Sequence, residues 1–382
     1  MSKCIYVITQ SIFSERDKER FGVNYFLSMG YKVVVLDLTL YLYPELSVTH
    51  ESYKNESNFS VFRCENFKSI KKTLRSNGSG IAFLFVHDTY KIIRVKKLLC
   101  ANRVRYGRVE SGFLPSPSLS KLSIKDRVVS GIKRRGLLGF IGILFDRIYT
   151  RYNFTQSNDF LITSNKSKSN YSKDIPLIEI NSFDYDEYLA SKNKKNLSDR
   201  PCVVYIDQNL FDCKDYIRTN VDLKLDRTKF FSELNVFFKM IESIFDCEIV
   251  IAAHPKCDID KAKGDYFGRK VCINKTALLI RDSLFVINYY STAISFAVLN
   301  RKPIIFLSND DIDKTEIHQC IDMFAQAFHR PIINMSKKIS RDDLMIDEVQ
   351  YSDYESMYVK SFDTDLTTWE IVFSKFKALG FL

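Results

Sequence analysis

The chain has 382 residues, of which 46% are hydrophobic and 27% are charged, and its formal net charge is +10. This composition excludes a disordered or fibrous chain and is typical of two ordinary globular domains. The positive charge suits an anionic partner, such as a nucleotide, a nucleic acid or an acidic lipid surface, without choosing among them.

The cysteines and the first residues bear on the cellular compartment. Nine cysteines are scattered along the chain without a CxxC pair, a pattern that favours reduced thiols in the cytosol. Residues 1–9 run directly into a strand-like stretch and lack the charged and apolar regions of a secretory signal. We therefore expect a cytoplasmic protein.

The first half of the chain alternates predicted strands and helices. A strand over residues 4–9, a helix over 15–29 and a strand over 32–38 form the opening of a Rossmann-like unit. The GxGxxG turn of dinucleotide-binding proteins is absent, so this first loop is not expected to hold a pyrophosphate in the NAD manner. A later strand over 105–109 leads into a turn that begins with Glu110.

Residues 121–152 form a separate basic segment, with eight Lys or Arg residues against two Asp residues around an apolar centre at 137–145. This apolar run is well short of the roughly 20 residues that cross a bilayer. The segment could pack as a helix against a core, with its basic side in water. Alternatively, it could lie in the headgroup region at the inner face of the cytoplasmic membrane, which would make the protein peripheral.

The polar run at residues 190–200 is the best candidate for a linker. It predicts an N-terminal domain over 1–192 and a C-terminal domain over 200–350. The C-terminal domain again alternates strands and helices, which predicts a parallel sheet covered on both faces. Residues 351–382 are rich in aromatic side chains and are predicted to form helices that cross back onto the N-terminal domain.

Polar clusters follow three predicted strands of the C-terminal domain. They are Asp207-Gln208-Asn209, His254-Pro255 and Asn288-Tyr289-Tyr290-Ser291-Thr292. Open α/β sheets bind ligands at the carboxyl ends of their strands. His254 could stabilise negative charge on a departing phosphate, and the hydroxyls of Ser291 and Thr292 could donate to the same group. We expect these groups to converge on one anion, with the Asp207 carboxylate facing them.

Each cluster also has a purely structural explanation. A His-Pro pair after a strand can be a turn, Ser291 and Thr292 can cap a helix, and Asp207 can cap the turn after its strand. Their coincidence at successive strand ends of one domain favours the functional interpretation.

These clusters carry a resemblance to known enzymes. CEIVIAAHPK at 247–256 is similar to the His-Pro element of bacterial sialyltransferases and related capsule enzymes, and VINYYSTAISFAVLNRKPIIF at 286–306 resembles their Ser-Ser/Ser-Thr element. VVYIDQNL at 203–210 resembles the acidic motif of nonulosonic acid transferases, and ESGFLP at 110–115 resembles a loop of capsule-synthesis Kdo transferases. The resemblance implies an α/β fold of the GT-B type, in which two Rossmann-like domains face each other across a cleft.

The resemblance also implies roles for individual residues. Asp207 and His254 are the expected catalytic residues, and a second set is expected to bind the donor: Gln208, Asn209, Pro255, Asn288, Tyr290, Ser291 and Thr292. Glu110, Glu316 and His318 are candidate contacts to the ribose or the acceptor. Asp207 could deprotonate the acceptor in an inverting reaction or attack the anomeric carbon in a retaining one. No DxD motif or His/Cys cluster indicates a metal, and no other cofactor is expected.

The implied function is transfer of a nonulosonic or ulosonic acid, of the sialic, legionaminic, pseudaminic or Kdo type, from a CMP donor. The acceptor would be a glycan or lipid-linked glycan of a bacterial capsule or lipopolysaccharide. The alternatives are a CDP-polyol phosphotransferase of the teichoic-acid type, a UDP-sugar transferase and a non-catalytic nucleotide-binding module. A nucleic acid partner is not expected, because the strongest basic run has an apolar centre rather than interleaved aromatic residues.

Overall fold

The structure is a computed structural model that describes residues 4–46, 56–115, 148–149, 158–164, 175–197, 200–212, 225–255 and 257–382. The described chain divides into two compact units. The first contains the described residues up to Ser111, those between 148 and Asn181, and Thr364–Leu382. The second contains residues 112–115 and Ser182–Asp363. Most of the basic segment at 121–152 lies outside the described residues, so its contact with a membrane stays a prediction.

The first unit is built on a sheet of seven described strands, all parallel, in the order β3-β2-β1-β4-β5-β6-β7. They are β1 (Cys4–Thr9), β2 (Lys32–Asp37), β3 (Phe59–Arg63), β4 (Gly80–Phe85), β5 (Val104–Glu110), β6 (Phe160–Thr163) and β7 (Leu177–Glu179). The helices before β6 are α1 (Glu15–Arg20), α2 (Val23–Ser28), α3 (Thr39–Leu42), α4 (Phe67–Asn77) and α5 (Tyr90–Ala101). Every residue of β1 is buried, as expected of a strand covered on both faces.

The second unit is built on a sheet of six described strands, again all parallel, in the order β10-β9-β8-β11-β12-β13. They are β8 (Cys202–Ile206), β9 (Glu248–Ala252), β10 (Lys270–Cys272), β11 (Val286–Asn288), β12 (Ile304–Ser308) and β13 (Ile332–Asn334). Its α-helices are α6 (Phe183–Ser191), α7 (Arg227–Phe245), α8 (Ile259–Asp265), α9 (Thr276–Asp282), α10 (Ile294–Leu299), α11 (Glu316–Ala327) and α12 (Glu348–Tyr354).

The division between the units falls at Asn181 and Ser182, earlier than the polar run at 190–200 that the sequence suggests as a linker. The reason is that α6 packs on the second unit, where Tyr185 is buried in the core. At the end of α6, Arg281 of α9 donates hydrogen bonds to the carbonyl oxygens of Ser191 and Lys194. The polar run therefore follows a helix that already belongs to the second unit.

The C-terminal residues divide between the two units. Helix α12 stays with the second unit, where the Tyr351 hydroxyl donates to the Lys302 carbonyl across 2.7 Å. Helix α13 (Thr368–Ala378) belongs to the first unit. There the indole ring of Trp369 lies 5.1 Å from the ring of Phe83, and the ring of Phe376 lies 4.7 Å from that of Phe160. These aromatic contacts attach the last residues of the chain to the first sheet.

The single helix predicted over residues 15–29 is two helices, because the chain breaks at Gly22. Gly22 has a φ of +73°, in the left-handed region that favours glycine. A Cβ atom at this position would lie 2.4 Å from the ring of Trp369. The indole N–H of Trp369 donates to the Arg20 carbonyl across 3.1 Å. The break therefore makes room for the indole ring.

In the described part of the chain, no helix combines the length and the apolar character that a bilayer crossing requires.

Candidate functional site

The candidate site of the second unit lies at the carboxyl edge of its sheet. Strand β8 lies between β9 and β11, and Ile206 pairs with Ala252 on one side while Tyr205 pairs with Ile287 on the other. Neighbouring strands are about 4.8 Å apart, so the loops after β9 and β11 start roughly two strand spacings apart, with the turn after β8 between them. Open α/β sheets bind ligands at the point where the strand order reverses, and in this sheet that point lies between β8 and β11.

Asp207 is nearly buried, with 9% of its surface exposed. Its carboxylate accepts a hydrogen bond from the Asn209 backbone N–H across 2.8 Å. Burial raises the pKa of the Asp207 carboxyl, and this hydrogen bond together with the nearby Tyr266 and His254 opposes that rise. The backbone N–H of Asp207 donates to the Ala252 carbonyl across 3.0 Å, which joins the turn after β8 to the end of β9.

Three buried tyrosine side chains pack together near this carboxylate. The ring of Tyr205 lies 5.8 Å from that of Tyr266 and 6.0 Å from that of Tyr289, and all three residues are buried. Burial is the main cause that raises the pKa of each phenol well above its ordinary value. The three phenol groups therefore stay neutral at physiological pH.

Gln208 and Asn288 place their side-chain amides against each other at the edge. Nε2 of Gln208 donates to Oδ1 of Asn288 across 3.5 Å. Oε1 of Gln208 and Nδ2 of Asn288 are shielded from solvent and have no hydrogen-bond partner among the described residues. Buried polar groups are nearly always paired in folded proteins, so these two atoms are exceptional.

Ser291 and Thr292 lie in a turn that precedes α10, which begins at Ile294. The Ser291 hydroxyl accepts from the Ala293 backbone N–H across 3.2 Å, so it stabilises the turn. Both residues keep part of their surface exposed. The two residues lie at the same edge as His254, and their contact with an anion stays a prediction.

The other residues predicted to bind the donor lie at the same edge and differ in their exposure to solvent. Pro255 is exposed, whereas His254 and Tyr290 are partly buried. Asn209 has a φ of +52° and contributes its backbone N–H to Asp207. None of the contacts described for these residues tests their predicted role in donor binding.

Glu316 and His318 lie at the start of α11, which follows β12 at the carboxyl edge. Nδ1 of His318 lies 2.9 Å from the Asp313 carboxylate. Because β12 is one strand further from β8 than β11 is, these side chains start farther from Asp207 than Asn288 does. Their assignment as ribose contacts stays a prediction.

Glu110, the other predicted contact, ends β5 in the first unit and belongs to a chain of charged groups. Its carboxylate pairs with Arg108. Arg108 also lies 3.2 Å from the Asp88 carboxylate, which in turn lies 2.6 Å from Nζ of the nearly buried Lys96. The alternating charges hold the carboxylate of Glu110 at the carboxyl edge of the first sheet.

Sequence reasoning gave His87 no role, yet it lies at the point of the first sheet where the strand order reverses. It follows β4, which pairs with β1, and its backbone N–H donates to Oε1 of Gln10 across 2.8 Å. The sequence signal is its position immediately after the apolar run at 81–86.

A cavity of about 20 Å³ beside Asp207, lined by Arg227, Asp265 and Tyr266 among other residues, was also not predicted. The guanidinium of Arg227 lies between the carboxylates of Asp212 and Asp265. Its charge is therefore already compensated. Among the described residues, no group of three or more His, Cys, Asp or Glu side chains could hold a metal ion.

Comparison with known proteins shows the fold but not a family. No family model and no curated protein sequence matches the chain. A histidine-to-asparagine variant of the wall teichoic acid polymerase TagF is similar in structure, with a TM-score of 0.52, 13% identity, and coverage of 99% of this chain and 89% of that one. A protein from Listeria monocytogenes assigned as a UDP-N-acetylglucosamine 2-epimerase has a TM-score of 0.51, 11% identity, and coverage of 100% and 97%.

The two parallel α/β sheets and these structural neighbours together show the predicted fold class. The chain has a GT-B type fold.

Proposed function

We propose that the protein is a glycosyltransferase that moves a nonulosonic or ulosonic acid from a CMP donor to a glycan acceptor. The observation that carries this proposal is the pairing of β8 with β9, in which the Asp207 backbone N–H donates to the Ala252 carbonyl across 3.0 Å. This pairing holds the loop that carries His254 beside the turn after β8, next to the point where the strand order reverses between β8 and β11. This is the place where a GT-B type sheet can accept a nucleotide phosphate.

The residues at this edge suit the chemistry of a CMP leaving group. As the bond to the anomeric carbon breaks, negative charge grows on the departing phosphate. His254, in its protonated form or as a hydrogen-bond donor, would stabilise that charge, and the hydroxyls of Ser291 and Thr292 would add donors. Since the keto-sugar forms an oxocarbenium-like transition state readily, the reaction needs no metal at the phosphate.

The acceptor hydroxyl must lose a proton, and a carboxylate can accept it. The Asp207 carboxylate is held in place by a hydrogen bond from the Asn209 backbone N–H. It lies near His254, at the edge where the phosphate is proposed to bind. We therefore propose Asp207 as the proton acceptor and keep Glu110 as a candidate contact to the ribose or the acceptor.

The names of the structural neighbours fit a nucleotide-activated substrate in general. One is a wall teichoic acid polymerase and the other is assigned to UDP-N-acetylglucosamine. The likeness to the polymerase, which spans 99% of this chain, favours one alternative: phosphotransfer from a CDP-polyol. The choice of an acidic sugar rests on the sequence motifs around His254 and Ser291.

The test is a donor panel. The protein is incubated with a mixed set of glycan acceptors and CMP-N-acetylneuraminate, CMP-Kdo, CDP-glycerol or UDP-N-acetylglucosamine, and both nucleotide release and acceptor mass are measured. We expect CMP release with an acceptor that gains an acidic sugar. An acceptor that gains glycerol phosphate would establish the alternative. Nucleotide binding without turnover on any donor would instead identify a non-catalytic module.

A further inference from the structure

The amide pair of Gln208 and Asn288 has unmet hydrogen-bonding capacity at the junction of β8 and β11. One contact of 3.5 Å joins the two side chains. Beyond it, one amide oxygen and one amide nitrogen have no partner among the described residues, although both are shielded from solvent. Asn288 has no exposed surface at all. Because unmet buried groups destabilise a folded protein, their presence where a sheet binds ligands points to a ligand group that completes them.

The two atoms define the chemistry of that group. The free oxygen is an acceptor and the free NH₂ is a donor. Turning both amides over by 180° preserves the contact between them and again leaves one acceptor and one donor, so the conclusion does not depend on their orientation. A phosphate or a carboxylate offers only acceptors and would leave the amide oxygen unmet. An ammonium group offers only donors.

We propose that Gln208 and Asn288 together bind a planar, neutral edge of the donor in which an N–H lies beside an acceptor atom. This inference rests on the proposed function. Gln208 is partly exposed, so rotation of its side chain opens the pair to a ligand. In a CMP-linked nonulosonate, cytosine presents such an edge, because its amino N–H lies beside the acceptor nitrogen of the ring.

The experiment is a calorimetric titration with CMP, CMP-N-acetylneuraminate and CMP-Kdo, of which only the second carries an N-acyl group. Gln208→Met keeps the length of the side chain and removes the amide. Asn288→Leu removes the other half of the pair, and thermal unfolding verifies that each variant is folded. Gln326→Met is the matched control, because Gln326 is exposed on α11 and contacts Asp322.

Because all three ligands carry cytosine, Gln208→Met is expected to weaken the binding of each by about tenfold, the effect expected for one lost hydrogen bond. A loss of affinity for CMP-N-acetylneuraminate alone would place the pair against the sugar and overturn the inference. Unchanged affinity for all three ligands in both folded variants overturns the inference and leaves the proposed function standing. Absence of binding to the unmodified protein overturns the inference together with the proposed function.

Discussion

The backbone N–H of Asp207 donates a hydrogen bond to the carbonyl oxygen of Ala252 across 3.0 Å. This bond joins the ends of two neighbouring parallel strands, β8 and β9, at the edge where the second sheet is expected to bind its ligand. His254 follows two residues after Ala252. The strand pairing therefore brings the proposed proton acceptor and the proposed leaving-group residue to one edge of the sheet.

Replacement of His254 tests the proposed leaving-group role. His254→Ala is expected to lower the rate of CMP release by about 10²- to 10³-fold, as for other donors to a developing negative charge, and to weaken CMP binding. His329→Ala, which removes a largely exposed imidazole beyond the end of α11, serves as the control and should retain full activity. Equal rates for the two variants in a CMP-release assay would contradict the role.

Replacement of Glu110 tests its predicted contact with the acceptor. Glu110→Gln is expected to raise the KM for the acceptor by about tenfold, the effect of one lost hydrogen bond, and to leave CMP affinity unchanged, since CMP is proposed to bind the second unit. Glu56→Gln is the matched control, because Glu56 is exposed just before β3, at the opposite edge of the first sheet. A variant at 110 with a normal acceptor KM would contradict the contact.

Asp207 should make the stability of the protein depend on pH in an unusual direction. Burial raises the pKa of this carboxyl above its ordinary value of 3.8, so the folded state retains a proton that the unfolded state releases. Stability from this group is complete below pH 3.8 and is lost as the pH rises through the raised pKa.

The difference between the normal protein and Asp207→Asn isolates this contribution, because all other carboxyls are shared. Relative to the variant, the normal protein should lose stability between about pH 4 and the raised pKa. Urea unfolding followed by circular dichroism across this range measures the effect. If the normal protein instead becomes more stable relative to Asp207→Asn as the pH rises, the carboxyl is not held in its protonated form.

Gly22 provides a stability test in the first unit. Gly22→Ala would place a methyl group 2.4 Å from the Trp369 ring at a φ of +73°, and we expect a loss of about 2–5 kcal/mol from overpacking and backbone strain combined. Gly30→Ala has a similar φ of +80° with nothing within 4 Å of the new methyl. It should cost only about 1 kcal/mol. Equal unfolding midpoints for the two variants would exclude the clash with Trp369.

Much of the fold is predictable because its signals are local. The strand predicted over 4–9 is β1 as observed, and both parallel sheets follow from the alternation of apolar strands with helices. The break at Gly22 is not predictable in this way, since it depends on Trp369, far along the chain. The same limit explains the domain boundary, which is set by the packing of α6 rather than by the polar run after it.

The candidate site likewise combines features that the sequence predicts with features that depend on contacts between distant residues. The positions of His254 and Asn288 after parallel strands are sufficient to place both at one edge of the sheet. Whether Asp207 faces solvent or protein depends on Tyr266, which follows α8 and has no pattern linking it to β8. The contact between Gln208 and Asn288 likewise arises from strand order, because β8 and β11 are adjacent only after the chain has crossed the sheet.

The hydrogen bond from Trp369 to Arg20 joins positions 349 residues apart, and this separation has a consequence for synthesis. The second unit is mainly one continuous stretch and can close while the ribosome is still translating. The first unit must wait for its last helix, with the face of Phe83 uncovered meanwhile. At about 5–20 residues per second, the residues between these partners take tens of seconds to emerge. Nascent chains of this protein should therefore depend on chaperones that shield aromatic surfaces.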